Sequence, residues 1–205
     1  MDSQSFNIAI IPPKVTADRA IAVSKVFQDR GGLFVLDGIA NHPHITLYIA
    51  QLPLSNLKLV TDTLAAVLAL QPTFSLHSIG YRNNTYAFID VAYENSDLVK
   101  LQAQLISNLN SLREGIPLPY PDEELSNMSD AERRNVELYG TRSVGETYHP
   151  HLTFTVLPQY QETALEGIES QDFSFIVARV GLFRLGEYGT CRQLLHTFEL
   201  GGGVE

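Results

Sequence analysis

Residues 42–47 read "HPHITL" and residues 149–154 read "HPHLTF", so one hexapeptide occurs almost unchanged twice. Four of the six histidines of the chain lie in these two copies, with His44 and His151 standing 107 residues apart. Imidazole is suited to moving protons near neutrality, because its ordinary pKa of about 6.5 leaves both protonation states available. Two of them could act on one centre, one as base and the other as acid. Along an extended chain side chains alternate, which puts His44, Thr46 and Tyr48 on one face and Ile45, Leu47 and Ile49 on the other. His151, Thr153 and Thr155 repeat the pattern against Leu152, Phe154 and Val156. The apolar faces have a core to enter. The His-Thr faces have none, and facing each other across a cleft would use both.

The elements that must position these residues are legible in outline. "FNIAII" reads as a strand and 16–30 as a helix closed by Gly31-Gly32. "LFVL" (33–36) and "HITLYIA" (44–50) read as strands, and Ser55 or Asn56 is expected to cap a helix reaching Leu70 and ended by Pro72. "TFSLHSIGY" and "TYAFIDVAY" pair around Arg82-Asn83-Asn84, and a helix follows near 96–112. After a Pro-rich acidic insertion (about 113–146) come "HLTFTVL", a short helix near 161–168, and the strands "FSFIVARVGLFRL" and "RQLLHTFEL". The second half thus repeats the plan of the first, which predicts an α+β fold of two similar lobes in one domain over 1–205.

Composition narrows the function. The net charge is −9, which opposes the backbone of a long nucleic acid. Much of it is local, since Glu114 to Glu137 carries seven acids against Arg133 and Arg134, and a basic pocket for one small phosphate remains compatible with the total. A single cysteine, Cys191, excludes an intrachain disulfide and any cysteine-based metal site. No stretch approaches the roughly 18 apolar residues of a membrane span, and the start has no basic region before its short apolar run, so a soluble cytoplasmic protein is expected. A monomer is expected as well.

On these residues the chain resembles the two-histidine phosphoesterase superfamily, which includes 2′-5′ RNA ligase-like proteins and RNA 2′,3′-cyclic phosphodiesterases. The resemblance rests on the two Pro-His-x-Thr-hydrophobic strands, the opening "FNIAIIPP" and the closing hairpin "VGLFRLGEYGTCRQLLHTFEL". It implies a bilobal fold with two pseudo-symmetric antiparallel sheets, helices on their outer faces and both motifs lining a central groove. It implies His44, Thr46, His151 and Thr153 as the catalytic set, and chemistry with no metal and no cofactor. The residue types suit that chemistry: opening a cyclic phosphate needs a base for water and an acid for the departing sugar oxygen, and hydroxyls can donate to the non-bridging oxygens. Which histidine is acid and which is base is left open by the sequence. The expected partner is a small cyclic-phosphate nucleotide or an RNA terminus.

Further residues are candidates for binding the substrate. Tyr48 shares the motif face and could stack on a base. Arg142 could meet a phosphate across the insertion, against the simpler reading of a surface ion pair. His42 and His149 lie on the same alternation as the catalytic pair, yet each precedes a proline that alone accounts for a constrained entry into a strand. The run Gly140 to Thr147 imitates a phosphate-binding loop, but Glu146 stands where its lysine should be. Two rival functions remain: a four-imidazole metal site of His42, His44, His149 and His151, and a groove that binds a nucleotide or RNA end without hydrolysing it.

Overall fold

The computed structural model describes residues 2–92 and 96–201. The chain runs β1 (Ser3–Ile10), α1 (Lys14–Gln28), β2 (Ile45–Pro53), α2 (Leu57–Ala69), β3 (Phe74–Leu76), β4 (Ser78–Asn83) and β5 (Tyr86–Val91). It continues through α3 (Ser96–Leu109), α4 (Asp122–Asn127), α5 (Asp130–Tyr139), β6 (His151–Val156), β7 (Phe175–Val177), β8 (Arg179–Leu185) and β9 (Cys191–Glu199). Every strand pairing is antiparallel, in a sheet ordered β2-β1-β8-β9, a sheet ordered β4-β5-β6 and a ribbon β3-β7. This is the expected α+β architecture with two sheets. Tyr93, at the end of one expected strand, lies outside the described residues.

Two long apolar segments divide where single strands are expected. "TFSLHSIGY" breaks at His77 into β3 and β4, and "FSFIVARVGLFRL" breaks at Ala178 into β7 and β8. The carbonyls at the breaks are taken by Ala92 (2.8 Å) and Leu200 (2.7 Å), so neither carbonyl is orphaned by the change of sheet. Because β3 and β7 pair with each other, the ribbon ties the two halves together.

"LFVL" is not a strand. Its polar backbone is satisfied singly instead: Leu33 donates to the Val156 carbonyl, Leu36 donates to Ser24 Oγ, and the Phe34 carbonyl accepts from Thr155 Oγ1. The expected helix at 161–168 is one 3₁₀ turn, Glu162–Leu165. The insertion contains α4 and α5, with Ser129 closing a capping box on α5 and the guanidinium of buried Arg113 held by Asn110 Oδ1 and the carbonyls of Ile116 and Leu138.

Each sheet is covered partly by a helix from the other half. Phe27 of α1 stacks on Phe154 of β6 at 6.4 Å, and α3 packs on β2. One continuous apolar cluster therefore includes Phe6, Phe27, Leu47, Leu105, Phe154 and Leu182. Burial of side chains of this size, at about 1.5–3 kcal/mol each, is the main term holding the motif strands in place.

Candidate functional site

His44 immediately precedes β2 and Thr46 is its second residue, while His151 opens β6 and Thr153 is its third residue. All four are half-buried, while Ile45, Leu47, Leu152 and Phe154 between and beside them are buried. The expected alternation therefore holds across His-x-Thr, and it fails just beyond. In the β1–β2 ladder Ile8 pairs with Tyr48 and Ala9 with Thr46, which leaves Leu47 unopposed as a β-bulge. In the β5–β6 ladder Ala87 pairs with Thr155 and Phe88 with Thr153, which leaves Phe154 unopposed. The same distortion thus occurs at the same place in both motifs.

The bulges are held by the crossed helices. Leu47's carbonyl accepts from Gln102 Nε2 of α3 at 3.0 Å, and the Phe154 carbonyl accepts from Ser24 Oγ of α1 at 2.7 Å. A bulge removes a residue from the ladder, so its carbonyl needs another donor. That need is met by two buried polar residues, Gln102, which also donates to the Ser143 carbonyl, and Ser24, which also accepts from Leu36.

This distortion corrects the expectation for Tyr48. Beyond the bulge its side chain turns into the core, 1% exposed, and its hydroxyl donates to the Tyr139 carbonyl at 2.8 Å. Burial pushes its pKa up to about 12. No base can stack on it. Thr155 turns inward in the same way and donates to the Phe34 carbonyl at 2.7 Å.

The two histidines are tethered alike. Nδ1 of His44 lies 2.8 Å from the His42 carbonyl, and Nδ1 of His151 lies 2.7 Å from the His149 carbonyl. A carbonyl only accepts, so each Nδ1 carries the hydrogen and Nε2 is the atom of the neutral ring that can take a proton, with the Gly189 carbonyl also reaching the ring at His44. The motifs are joined directly: buried Tyr148, three residues before His151, donates its hydroxyl to the Thr46 carbonyl at 2.8 Å. The rings are also close enough for the charge of His151 to oppose protonation of His44.

Electrostatics separates the pair. Burial pushes the His44 pKa down to about 4; the charges of His151 and His42 act the same way, and the carbonyls of His42 and Gly189 oppose them. His151 is also lowered by burial, but its surroundings include a carboxylate, Asp90, that favours its protonated form. Asp90 is the register partner of His151 on β5 and is ion-paired with Arg82 of β4. Phe88 flanks the His151 ring at 5.0 Å.

The remaining candidates are dispersed. His42 packs on Phe183 at 5.3 Å, bridges to Cys191 through its backbone and faces Asp37; burial lowers its pKa. His149 is exposed. No three His, Cys, Asp or Glu side chains converge among the described residues, so the four imidazoles do not form one metal cluster. Arg142 sits 3.4 Å from Glu124 and 5.9 Å from the Tyr120 ring, the ion-pair alternative. Its charge, like that of Glu124, is felt by Tyr86 of β5, which pairs with Val156 at the far end of β6 from His151.

Sequence reasoning missed Asn7, Tyr148, Asp90 and Gly189. Asn7 was detectable as the one polar residue in "FNIAII". Tyr148 adjoins its motif, whereas Asp90 and Gly189 carry no local signal, since strand register and turn placement bring them in.

The sequence matches no family model, and no curated protein is significantly similar to it. Solved structures do share its fold. E. coli LigT in its apo form matches with a TM-score of 0.56 at 17% identity, over 98% of this chain and 99% of that one. TT0787 of Thermus thermophilus matches with a TM-score of 0.63 at 16% identity, over 98% and 100%. A structure described as a phosphoesterase matches with a TM-score of 0.54 at 15% identity, over 97% and 99%. LigT has also been crystallised with 3′-AMP, NADP+, ATP and phosphate. The chain therefore has the LigT fold from end to end.

Proposed function

We propose that the protein is a phosphoesterase that opens a 2′,3′-cyclic or related cyclic phosphate of a nucleotide or RNA end, using His44 and His151 as a metal-independent base and acid. The observation that carries this reading is the matched tether. Two imidazoles on strands of the two motifs each give Nδ1–H to the carbonyl two residues back and keep Nε2 for proton transfer. The shared fold with LigT, whose structures include nucleotide complexes, supports the substrate class.

The environments support a division of roles. His44, with a pKa near 4, is neutral at ordinary pH and takes the proton of the attacking water. His151, beside Asp90, is the better proton carrier and gives its proton to the departing oxygen. Water oxygen bonds to phosphorus, one sugar P–O bond breaks, and the proton from His151 leaves on the freed hydroxyl. In the phosphodiesterase reaction that the resemblance implies, the freed hydroxyl is the 3′ one and a 2′-phosphate remains. Thr46 and Thr153 donate to the non-bridging oxygens, where charge accumulates.

The test is a panel of 2′,3′-cyclic nucleotides, RNA ends with cyclic phosphates and 2′-5′ dinucleotides, assayed in chelator with products resolved as 2′- or 3′-phosphates. Turnover unaffected by chelator is expected. The pH dependence of kcat/KM should be a bell, bounded below near pH 4 by His44 and above by His151, on the acid side of about 6.5. Inactivity on the whole panel would leave a binding groove, and activity restored only by zinc would replace the acid–base scheme.

A further inference from the structure

Asn7 lies in β1, between β2 and β8, with apolar neighbours along its strand, and it is fully buried. Its Nδ2 donates to Thr46 Oγ1 at 3.0 Å. Its own Oδ1 has no hydrogen-bond partner among the described residues. Burying an amide with one end unsatisfied works against stability, and its register partner Phe183 belongs to an apolar cluster with Ala9 and Cys191 that a Val would suit better. Stability does not account for this residue. Its effect on Thr46 does.

A threonine hydroxyl has one proton and turns freely to suit its neighbours. Once its oxygen accepts from Asn7, the proton cannot point back at the amide and is available to a different acceptor. We propose that Asn7 is a positioning residue, which holds the Thr46 hydroxyl as a ready donor to the substrate phosphate. This rests on the phosphoesterase reading of the same site. A donor already aimed when charge develops costs no reorganisation at that moment. Asn7 stands two residues before Ala9, the register partner of Thr46; the corresponding residue on β5, two before Phe88, is Tyr86, and among the described residues no side chain hydrogen-bonds the Thr153 hydroxyl as Asn7 does that of Thr46.

The experiment places Asn7→Val and Asn7→Asp in the wild-type, Thr46→Val and Thr153→Val proteins and measures kcat, KM and melting temperature on the cyclic phosphates. Asn7→Val should lower kcat about tenfold with KM little changed. Its melting temperature should stay level or rise, whereas a merely structural amide would lower it. The Asn7→Asp carboxylate accepts the Thr46 proton and turns it away from the phosphate, so kcat should fall at least as far. With Thr46→Val already present, either change should cost less than about twofold, while with Thr153→Val the full loss should persist. Additive losses with Thr46→Val, or wild-type turnover in Asn7→Asp, overturn the proposal. Should the wild-type protein open no cyclic phosphate, the phosphoesterase reading falls, and Asn7 is judged by NMR titration with inorganic phosphate. Severalfold weaker binding in Asn7→Val that disappears in the Thr46→Val background supports it. Equal affinity, or no phosphate binding by the wild type, overturns it.

Discussion

Around His44 the site is built from backbone and an amide: the Gly189 carbonyl reaches the ring, Asn7 holds Thr46, and no carboxylate among the described residues contributes to the ring's charge balance. Around His151 it is built from charged and aromatic side chains: Asp90 with its Arg82 partner, and Phe88 against the ring. Both motifs share one hexapeptide, one ring tether and one bulge. Their polar surroundings differ above all through the neighbouring strands, β1 for one and β5 for the other. On the proposed reading, the duplicated motif supplies two like groups, and the unduplicated surroundings make one a base and the other an acid.

The largest expected effect would break the site as a whole. His44→Ala and His151→Ala should each lower kcat/KM by about 10² to 10⁴. The double variant should be little worse than either, because a base without its acid has little left to assist. Additive losses, or full activity in either alanine variant, would show that the rings do not work as a pair.

Next in size is the contrast between the hydroxyls. Thr46→Val should cost about 10² to 10³ in kcat, the scale for loss of one aimed donor. Thr153→Val removes a hydroxyl that no amide holds as Asn7 holds that of Thr46, and should cost less, on the order of tenfold. Equal losses would erase the proposed asymmetry between the halves.

A smaller change would sharpen the acid assignment. A carboxylate favours the imidazolium, so Asp90→Asn should lower the His151 pKa, and Arg82, freed of its partner, pushes the same way. The basic limb of the kcat/KM profile should therefore move to lower pH while the limb set by His44 stays. Movement of the acidic limb instead would exchange the two roles.

The smallest effect lies outside the chemistry. Tyr48→Phe leaves the Tyr139 carbonyl without its donor, and should lower stability by about 1 kcal/mol in denaturant unfolding. Turnover should be unchanged, because the ring is in the core. A rise in KM for nucleotide substrates would restore the tyrosine to base recognition.

Much of this molecule was already determined by its residues in order. A nearly continuous apolar run suffices for β1, turn residues for the pairing of β5, and alternation for the starts of β2 and β6, where the repeated His-x-Thr is legible because strand geometry puts positions two apart on one face. The antiparallel α+β plan with its two sheets follows from strand pairs around short turns and from helical spacing between them. Only the tertiary structure decided where that alternation stops. Tyr48 and Thr155 sit in step with the motif in the sequence, yet the bulges at Leu47 and Phe154 turn both inward, and those bulges are sustained by Gln102 and Ser24 from helices far along the chain. The same is true of "LFVL", a good strand by composition, whose backbone finds side-chain partners before it finds a ladder. Asp90 beside His151 and Asn7 beside Thr46 depend on register between strands, which a local pattern does not encode. Spacing within one strand is covalent and so is written in the sequence; proximity between strands is settled by packing, which only the folded chain resolves.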